Sequence, residues 1–207
     1  MSEQQFWDDR YREDSHIWSG NPNVVLVREV ADLPPGTALD LGCGEGADAV
    51  WLAGRGWQVT AVDISEVALD RARARAAEAG LGDRIDWQRH DLGASFPAGT
   101  FDLVSAQFLH SRGDLPREKV LRAAATAVNR GGVLLIEGHA DFGPFGHRAQ
   151  DHGDIRFPTP AEVIADLELP AGEWEVLLSE AHERDQDGPD GKPSVRTDTT
   201  VKVRRLP

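Results

Sequence analysis

The segment from Thr37 to Ala53 constrains the fold of this chain more than any other. It starts with the apolar run Thr37–Leu41, turns through glycines at positions 42, 44 and 46, and continues with helical spacing from Ala47. Glycine permits positive φ and lets the backbone approach a bound molecule closely. A strand, a tight glycine turn and a helix N-terminus point backbone N–H groups at a ligand. The segment therefore predicts a ligand-binding turn in an α/β sheet.

Strand-like and helix-like stretches alternate after this segment. Strands are expected at 57–63, 84–89, 101–106 and 133–137, and helices at 66–79 and 116–129. This alternation predicts right-handed βαβ units in a doubly wound α/β sheet. A capping box with Pro160 at the first helical position predicts a helix over 160–167. The final strands, 174–184 and 195–204, are joined by a turn-rich loop without a helix, so we expect them to be antiparallel.

The acidic composition limits the partners that the chain can bind. A formal net charge of −13 does not provide the basic face that phosphate binding needs, so we expect no nucleic-acid and no membrane partner. The sole cysteine, Cys43, excludes an internal disulfide and agrees with a reducing compartment. The polar N-terminus does not resemble a signal peptide, and no apolar run approaches the roughly 20 residues of a membrane span. We therefore expect a cytoplasmic monomer or homodimer with a small-molecule substrate.

The spacing of the glycines indicates which ligand the turn prefers. A dinucleotide-binding turn needs G-x-G-x-x-G, but here Gly46 comes one place early, with Ala47 where the third glycine should be. No Gly-Lys-Ser/Thr follows, which excludes a P-loop. The carboxylate of Asp40 would repel a pyrophosphate but suits an ammonium group, directly or through water. A nicotinamide-dependent dehydrogenase is therefore the disfavoured alternative.

The run Asp40-x-Gly42-x-Gly44-x-Gly46 resembles the first motif of class I S-adenosylmethionine-dependent methyltransferases. The resemblance extends over about residues 37–137 and includes the Asn129–Leu134 turn. It implies that Asp63 accepts hydrogen bonds from the ribose hydroxyls, that Ile64 contacts the adenine, and that Asp91 and Leu92 recognise the adenine edge. It also implies a Rossmann-like seven-stranded sheet of order 3-2-1-4-5-7-6, with the last strand antiparallel and helices on both faces.

The resemblance also organises the chain into one methyltransferase domain, residues 1–207. Its parts are a lead-in segment (1–36), a cofactor-binding core (37–137), and a region with the substrate loop, a helix and the hairpin (138–207). The lead-in resembles that of small bacterial methyltransferases of the tellurite-resistance and thiopurine groups, which implies that Tyr11 and Trp18 contact the methionine part of the cofactor. The residues expected to bind S-adenosylmethionine, or its product S-adenosylhomocysteine, are Tyr11, Trp18, Asp40, Gly42, Cys43, Gly44, Asp63, Ile64, Asp91, Leu92 and Gln107.

Three local patterns carry further expectations. Asn23 is expected to cap a helix over 24–30. Trp7 and Trp18 either pack the lead-in onto the domain or cover the glycine turn. The spacing of Arg71, Arg73 and Arg75 distributes them around one helix and predicts a solvated face.

Two histidines are candidate bases for an acceptor that must lose a proton. His110 follows the fourth strand and His139 follows the fifth, so both are expected to face the crevice. The alternative for His110 is that it starts a helix and packs against the lead-in segment. Sulfur or metalloid anions would need no base. A metal site formed by His110, His139, His147 and His152 is rejected because no pair has zinc-motif spacing.

The residues after the fourth strand bear on the acceptor. They read Ala106-Gln107-Phe108-Leu109 rather than Asn/Asp-Pro-Pro-aromatic, which disfavours methylation of nucleic-acid bases. A non-catalytic S-adenosylmethionine-binding protein remains the second alternative.

Overall fold

The computed structural model describes residues 2–111, 115–143, 156–187 and 191–207. Within these ranges seven strands form one sheet: β1 Thr37–Leu41, β2 Gln58–Asp63, β3 Ile85–Arg89, β4 Phe101–Gln107, β5 Val128–His139, β6 Trp174–Asp187 and β7 Pro193–Arg205. Six α-helices accompany them in the same ranges: α1 Glu3–Arg12, α2 Val24–Val30, α3 Ala47–Gly54, α4 Glu66–Glu78, α5 Arg117–Thr126 and α6 Pro160–Asp166. A 3-10 turn, Gly82–Arg84, precedes β3.

The strand order is β3-β2-β1-β4-β5-β7-β6, which confirms the predicted order. Strands β1 to β5 pair in parallel, whereas β7 pairs antiparallel with both β5 and β6. The hairpin is therefore antiparallel, as its turn-rich connection predicted. Because β1 and β4 are central neighbours, the chain reverses its direction of travel across the sheet at their carboxyl ends, where such sheets bind ligands.

Helices cover both faces of the sheet, as predicted. On one face, Ala38, Leu103 and Leu135 pack with buried residues of α2 and α3. On the other, Leu39, Val104 and Leu134 pack with α5 and α6. Neighbouring positions of a strand point to opposite faces, so the near-continuous apolar runs of β1, β4 and β5 fill both cores.

The face covered by α2 and α3 changes from apolar to polar towards the carboxyl ends of the strands. In β1, Ala38 is followed on this face by Asp40. In β4, Leu103 is followed by Ser105 and then Gln107. In β5, Leu135 is followed by Glu137 and His139. The two-residue period of the strands thus places a row of polar side chains directly beyond the apolar core.

The beginning of β5 differs from the prediction. Helix α5 ends at Thr126 rather than Asn129, and β5 starts at Val128 rather than Val133. The residues predicted as a turn are an irregularity within the strand, where the pairing with β4 shifts between Phe101 and Leu103. Gly132 is required there, because a Cβ would lie 2.9 Å from the carbonyl oxygens of Asn129 and Asp102.

The hairpin strands are longer than predicted, since residues 185–187 pair with 193–195. The capping box at Thr159 is confirmed: its side chain accepts from the N–H of Glu162, whose carboxylate accepts from the N–H of Thr159. Within the described ranges, no helix combines the length and apolar character of a membrane span.

Candidate functional site

A cavity of about 1520 Å³ opens at the carboxyl ends of the strands, between the lead-in segment and the sheet. Every residue that the sequence assigned to cofactor binding, together with His110 and His139, lines it. His147 and His152 lie outside the described residues. Among the described residues, no group of three or more histidine, cysteine, aspartate or glutamate side chains has a geometry that could hold a metal ion.

Asp63 fixes the shape of the glycine turn. Its Oδ2 accepts a hydrogen bond from the N–H of Gly44 at 2.9 Å, and its Oδ1 accepts from the N–H of Ser65 at 2.9 Å. Burial raises the pKa of Asp63, and these backbone bonds oppose that rise. Gly42, Gly44 and Gly46 all have positive φ. The carboxylate therefore ties the glycine turn to the end of β2, a role that the sequence did not reveal.

The lead-in segment covers the glycine turn closely. A Cβ on Gly44 would lie 3.0 Å from the hydroxyl oxygen of Tyr11 and 3.3 Å from Nε1 of Trp18. The indole of Trp18 donates to that hydroxyl at 3.1 Å. Tyr11 is buried, and burial raises the pKa of its phenol. Trp18 is half exposed, so it forms the outer part of this cover.

Two arginines of α4 fasten the lead-in, which corrects the prediction of a solvated face. The guanidinium of Arg71 pairs with the buried carboxylate of Glu45 at 2.8 Å. It also donates to the carbonyl oxygens of Tyr11 at 2.6 Å and Asp14 at 2.8 Å. Arg75 donates to the carbonyl of Gly20 at 3.0 Å.

The third arginine, Arg73, behaves as predicted and pairs with the exposed acids Glu66 and Asp70.

Two further contacts join the lead-in to the core. The hydroxyl of Ser65 donates to the buried carboxylate of Asp8 at 2.6 Å. Asn23 stands at the predicted helix cap but makes no side-chain capping bond. Its backbone N–H and side-chain amide instead donate to the two oxygens of Asp48, each at 2.7 Å. This bidentate contact connects the start of α2 to α3.

Three buried acceptor atoms on the polar row lack a hydrogen-bond donor among the described residues. They are Oδ2 of Asp40, Oε1 of Gln107 and Oε2 of Glu137. Burial raises the pKa of Asp40, and the negative charges of Asp48 and Asp63 raise it further. An uncompensated buried carboxylate is costly, so this row fits a ligand that brings positively charged hydrogen-bond donors.

His139 and Asp198 form a hydrogen-bonded pair at the end of β5. Nδ1 of His139 lies 2.8 Å from Oδ1 of Asp198, its register partner on β7. Asp198 is fully buried, and its bonds with His139 and Arg184 lower its carboxyl pKa despite the opposing effect of burial. An ionised carboxylate only accepts, so His139 donates through Nδ1 and keeps a lone pair on Nε2. Burial lowers the pKa of His139, which favours this neutral form.

His110 is oriented differently. Its Nε2 accepts a hydrogen bond from the backbone N–H of His139 at 3.2 Å, which occupies its lone pair. Burial lowers its pKa to about 3, assisted by the charge of Arg117. The rings of His110 and His139 stack at 5.3 Å. This geometry favours a packing role for His110 over a role as a base, but His110 does not start a helix, and its ring packs on that of His139 rather than on the lead-in segment.

The ring of Phe108 lies beside the histidine pair. Its centroid is 4.5 Å from that of His139, and the guanidinium of Arg184 lies 5.5 Å above it. Phe108 adopts φ +51°, a left-handed conformation that is rare for a bulky side chain. The N–H of Phe108 donates to the carbonyl of Glu137 at 2.9 Å, which holds the strained turn against β5.

The remaining predicted residues lie on the opposite side of the cavity. Asp91 accepts from the N–H of Gly93 at 3.0 Å, and Ile64 and Leu92 are half-buried apolar neighbours. Burial raises the pKa of the Cys43 thiol, which disfavours the nucleophilic thiolate at neutral pH. The sequence reasoning missed Asp198, Asp48 and Glu137, because their roles depend on pairing between distant segments.

The family comparison identifies the central part of the chain. Residues 38–132 match the model of a methyltransferase domain. The 27-O-demethylrifamycin SV methyltransferase of Amycolatopsis mediterranei is 34% identical over 175 residues, covering 79% of this chain and 58% of that protein. A ribosomal RNA small subunit methyltransferase of Alcanivorax borkumensis is 36% identical, covering 49% of this chain and 32% of that protein. A release factor glutamine methyltransferase of Chlorobaculum tepidum is 34% identical, covering 66% of this chain and 60% of that protein. The chain thus spans between 32% and 60% of the length of these three relatives.

Solved structures agree with the observed fold. One solved structure is described by the conversion of a disulfide bond into a thioacetal group during echinomycin biosynthesis. Its chain is 28% identical, with a TM-score of 0.69 over 99% of the present chain and 92% of that chain. The N-methyltransferase NodS from Bradyrhizobium japonicum, bound to S-adenosylhomocysteine, has a TM-score of 0.72 at 18% identity over 99% of both chains. TehB from Haemophilus influenzae has a TM-score of 0.68 at 16% identity, over 99% of this chain and 67% of its own. The matched domain, its glycine motif and the strand order therefore identify residues 38–132 as a methyltransferase domain of the class I, S-adenosylmethionine-dependent type.

Proposed function

We propose that this protein transfers a methyl group from S-adenosylmethionine to a small-molecule acceptor. The observation that carries the proposal is a single cavity containing both the glycine turn, with the unpartnered Asp40, and the His139–Asp198 pair. The first arrangement suits a cofactor with an ammonium group, and the second supplies an oriented base.

The described residues fit the cofactor in a consistent order along the cavity. Asp40 and Gln107 offer buried acceptor oxygens that lack donors, which suits the ammonium of the amino-acid part. Asp63 retains lone pairs beyond its two backbone bonds and would accept from the ribose hydroxyls. Ile64, Asp91 and Leu92 would contact the adenine. When bound, S-adenosylmethionine supplies the activated methyl group for an in-line displacement.

His139 is the base in this proposal. Its Nε2 lone pair is available because Nδ1–H is held by Asp198, as in other orienting carboxylate–histidine pairs. Asp198 would also stabilise the imidazolium that forms when His139 accepts the acceptor's proton.

The expectation of a small acceptor rests on charge and on named relatives. A net charge of −13 opposes the binding of ribosomal RNA. One relative is named as a 27-O-demethylrifamycin SV methyltransferase, and one related structure is named for a conversion during echinomycin biosynthesis. Other relatives act on ribosomal RNA or a release factor, so the acceptor class is a proposal. A cytoplasmic location and a monomeric or homodimeric state also stay predictions.

Isothermal titration with S-adenosylhomocysteine and with NAD tests the cofactor assignment. We expect binding of S-adenosylhomocysteine only, and we expect Asp63→Ala to weaken it by a few kcal/mol because charge-assisted bonds are lost. Binding of NAD in preference would favour the dehydrogenase alternative. Asp70→Ala, an exposed acid of α4, is the matched control.

Methyl transfer itself is tested with a panel of thiols, phenols, amines and metalloid anions and a methyl-labelled cofactor. Tight binding of S-adenosylhomocysteine without transfer to any acceptor would favour the non-catalytic alternative.

A further inference from the structure

We propose that Glu137 binds a cationic nitrogen of the acceptor, so that the substrates of this enzyme are amine-bearing small molecules. The inference rests on the proposed function, because it assumes that the cofactor occupies the part of the cavity around the glycine turn.

Glu137 lies on β5, next to the polar side chains of β4 and β7. It is the register partner of Gln107 on β4 and of Thr200 on β7, and it lines the cavity. Its side chain is 2% exposed, yet Oε2 has no hydrogen-bond partner among the described residues. Its Oε1 lies 3.8 Å from Nε2 of His182. A side chain so deeply buried ordinarily has its hydrogen bonds satisfied. Glu137 is an exception, because its Oε2 still lacks a donor among the described residues.

The polar row has more unpartnered acceptor oxygens than the ammonium group of the cofactor can satisfy. Three unpartnered acceptor oxygens run along one face, from Asp40 on β1 through Gln107 on β4 to Glu137 on β5. The methionine part of S-adenosylmethionine carries one ammonium group. Asp40 and Gln107 adjoin the glycine turn, whereas Glu137 lies one strand further on, towards His139. The ammonium of the cofactor therefore leaves Glu137 without a donor.

The arginines near Glu137 already pair with other carboxylates. Arg28 on α2 pairs with Glu29 and Glu180, and Arg184 on β6 pairs with Asp198 at 2.5 Å. The groups that act electrostatically on Glu137 are Asp48 on α3, Arg28 on α2, Arg184 on β6 and Asp198 on β7, with His182 of β6 in range of its carboxylate. His182 makes its closer contact with the hydroxyl of Thr200, at 3.1 Å.

These surroundings favour an ammonium over a hydroxyl group. A hydroxyl would donate a hydrogen bond but would leave a buried negative charge without a counter-charge. In the protein alone, burial raises the pKa of Glu137 to about 8. A bound cation would reverse that effect and favour the ionised carboxylate. The ring of Phe108, beside His139, provides an aromatic surface for the rest of the acceptor.

The test uses tryptamine and tryptophol, which share a ring system and differ in their ammonium or hydroxyl group. Their binding to the S-adenosylhomocysteine complex is measured by ligand-observed NMR titration. We expect tryptamine to bind at least about tenfold more tightly, and Glu137→Gln to remove this preference. Glu180→Gln, the same change on the same face but outside the cavity lining, should preserve it.

The pH dependence gives a second readout. An ammonium with a pKa near 10 stays charged, so its affinity should rise about tenfold per pH unit up to about pH 8 as Glu137 ionises, and then level off. Glu137→Gln should flatten this rise while S-adenosylhomocysteine still binds.

Three outcomes would overturn the inference: no detectable tryptamine binding, equal binding of the two compounds, or a preference that survives in Glu137→Gln. Failure of the wild-type protein to bind S-adenosylhomocysteine would instead overturn the proposed function. The two failures are therefore distinguishable.

Discussion

At the scale of single residues, the buried acids and histidines at the ends of the strands determine what the cavity can bind. Asp40, Asp63 and Glu137 all have raised pKa values because burial disfavours their charged forms. Asp198 has a lowered pKa, because His139 and Arg184 hydrogen-bond to its carboxylate. Asp63 is held by two backbone N–H groups, whereas Asp40 and Glu137 each keep an oxygen without a donor among the described residues, which a ligand would have to supply.

Glu137→Gln should stabilise the ligand-free protein more at high pH than at low pH. Burial raises the pKa of Glu137 from 4.5 to about 8, so between these values the unfolded state releases a proton that the folded state retains. Stability from this group is therefore fully present below pH 4.5 and falls by about 1.4 kcal/mol per pH unit up to pH 8.

Urea unfolding at pH 5 and pH 8 measures this effect. Glu180→Gln changes a half-exposed acid paired with Arg28 and leaves Glu137 intact, so the fall in stability from pH 5 to pH 8 should match that of the wild-type protein. If the unfolding free energy of Glu137→Gln differs between pH 5 and pH 8 as much as that of the wild-type protein, this carboxyl group titrates normally.

Asp198→Asn should reduce turnover by roughly a hundredfold, within the range of general-base effects, if His139 is the base. Since burial lowers the pKa of His139, the neutral base is present at and above its ordinary value of 6.5. We therefore expect the acid limb of kcat for the wild-type enzyme to lie below pH 6.5. The pH–rate profile measures both effects, and a limb above that value would argue against His139.

The binding of S-adenosylhomocysteine serves as the control, because Asp198 lies on the acceptor side of the cavity. A parallel loss of cofactor affinity would mean that Asp198 supports the structure of the whole site.

At the scale of elements, the lead-in segment and α4 act together over the glycine turn. Arg71→Gln removes the pairing with Glu45 and two bonds to lead-in carbonyls, so the cover made by Tyr11 and Trp18 should loosen. We expect affinity for S-adenosylhomocysteine to fall roughly tenfold and proteolysis within residues 12–23 to accelerate. Titration and limited proteolysis measure these effects.

Arg73→Gln is the matched control on the same helix, since Arg73 pairs only with exposed acids among the described residues. Equal effects of the two substitutions would mean that general charge on α4, rather than fastening of the lead-in, supports binding.

Gly46, at the start of α3, joins the glycine turn to α4 and β3. A Cβ there would lie 2.7 Å from both Cβ of Ala72 and the ring of Trp87, and Gly46 has φ +78°. Gly46→Ala should therefore cost about 2–4 kcal/mol in unfolding free energy, from strain and overpacking together.

Gly80 provides the comparison, because it has φ +68° but a Cβ at this position would meet nothing within 4 Å. Gly80→Ala should show only the backbone contribution of about 1 kcal/mol. Chemical denaturation measures both variants, and equal losses of unfolding free energy in Gly46→Ala and Gly80→Ala would exclude a packing role for Gly46.

The elements also show what sequence reasoning can and cannot recover. The positions of Asp40 and Asp63 were predictable because each lies at the carboxyl end of an apolar strand, which is a local pattern. The role of Arg71 was not identifiable, because its partners lie 26 to 60 positions away along the chain. The pairing of His139 with Asp198 likewise depends on register between β5 and β7. The start of β5 was misplaced because Asn129–Gly132 form an irregular strand segment with the composition of a turn.

At the scale of the whole molecule, the residues proposed for cofactor and acceptor divide between the two halves of the sheet. Asp40 on β1 and Asp63 on β2, with the residues just after β3, are proposed to hold the cofactor. Glu137 and His139 on β5, supported by Asp198 on β7, are proposed to serve the acceptor. The sequence offered residues for the first half because they stand in local patterns, such as the glycine motif and the acids at strand ends. The second half required the hairpin to be placed against β5 before its polar side chains could be recognised as one surface.

The net charge of −13 leads to a prediction about the molecule as a whole. At about 0.15 M salt, fluorescence anisotropy should show no binding of a labelled ribosomal RNA fragment, because counterion release needs clustered basic side chains. Saturable, salt-dependent binding would contradict the small-molecule proposal. The protein loaded with S-adenosylhomocysteine should behave in the same way.

The pairing of β7 with β5 has a consequence for how this protein can evolve. Val201 and Val203 are buried against the α5 and α6 face, while Asp198 and Thr200 point to the opposite face. A slip of one residue would move the valines towards the cavity and force the polar side chains into the apolar layer. Mutations that keep the hairpin folded correctly therefore also keep the proposed acceptor surface assembled. Selection for a stable fold and selection for activity would therefore act on the same strand pairing. The outward-facing positions of β6 would remain free to diversify.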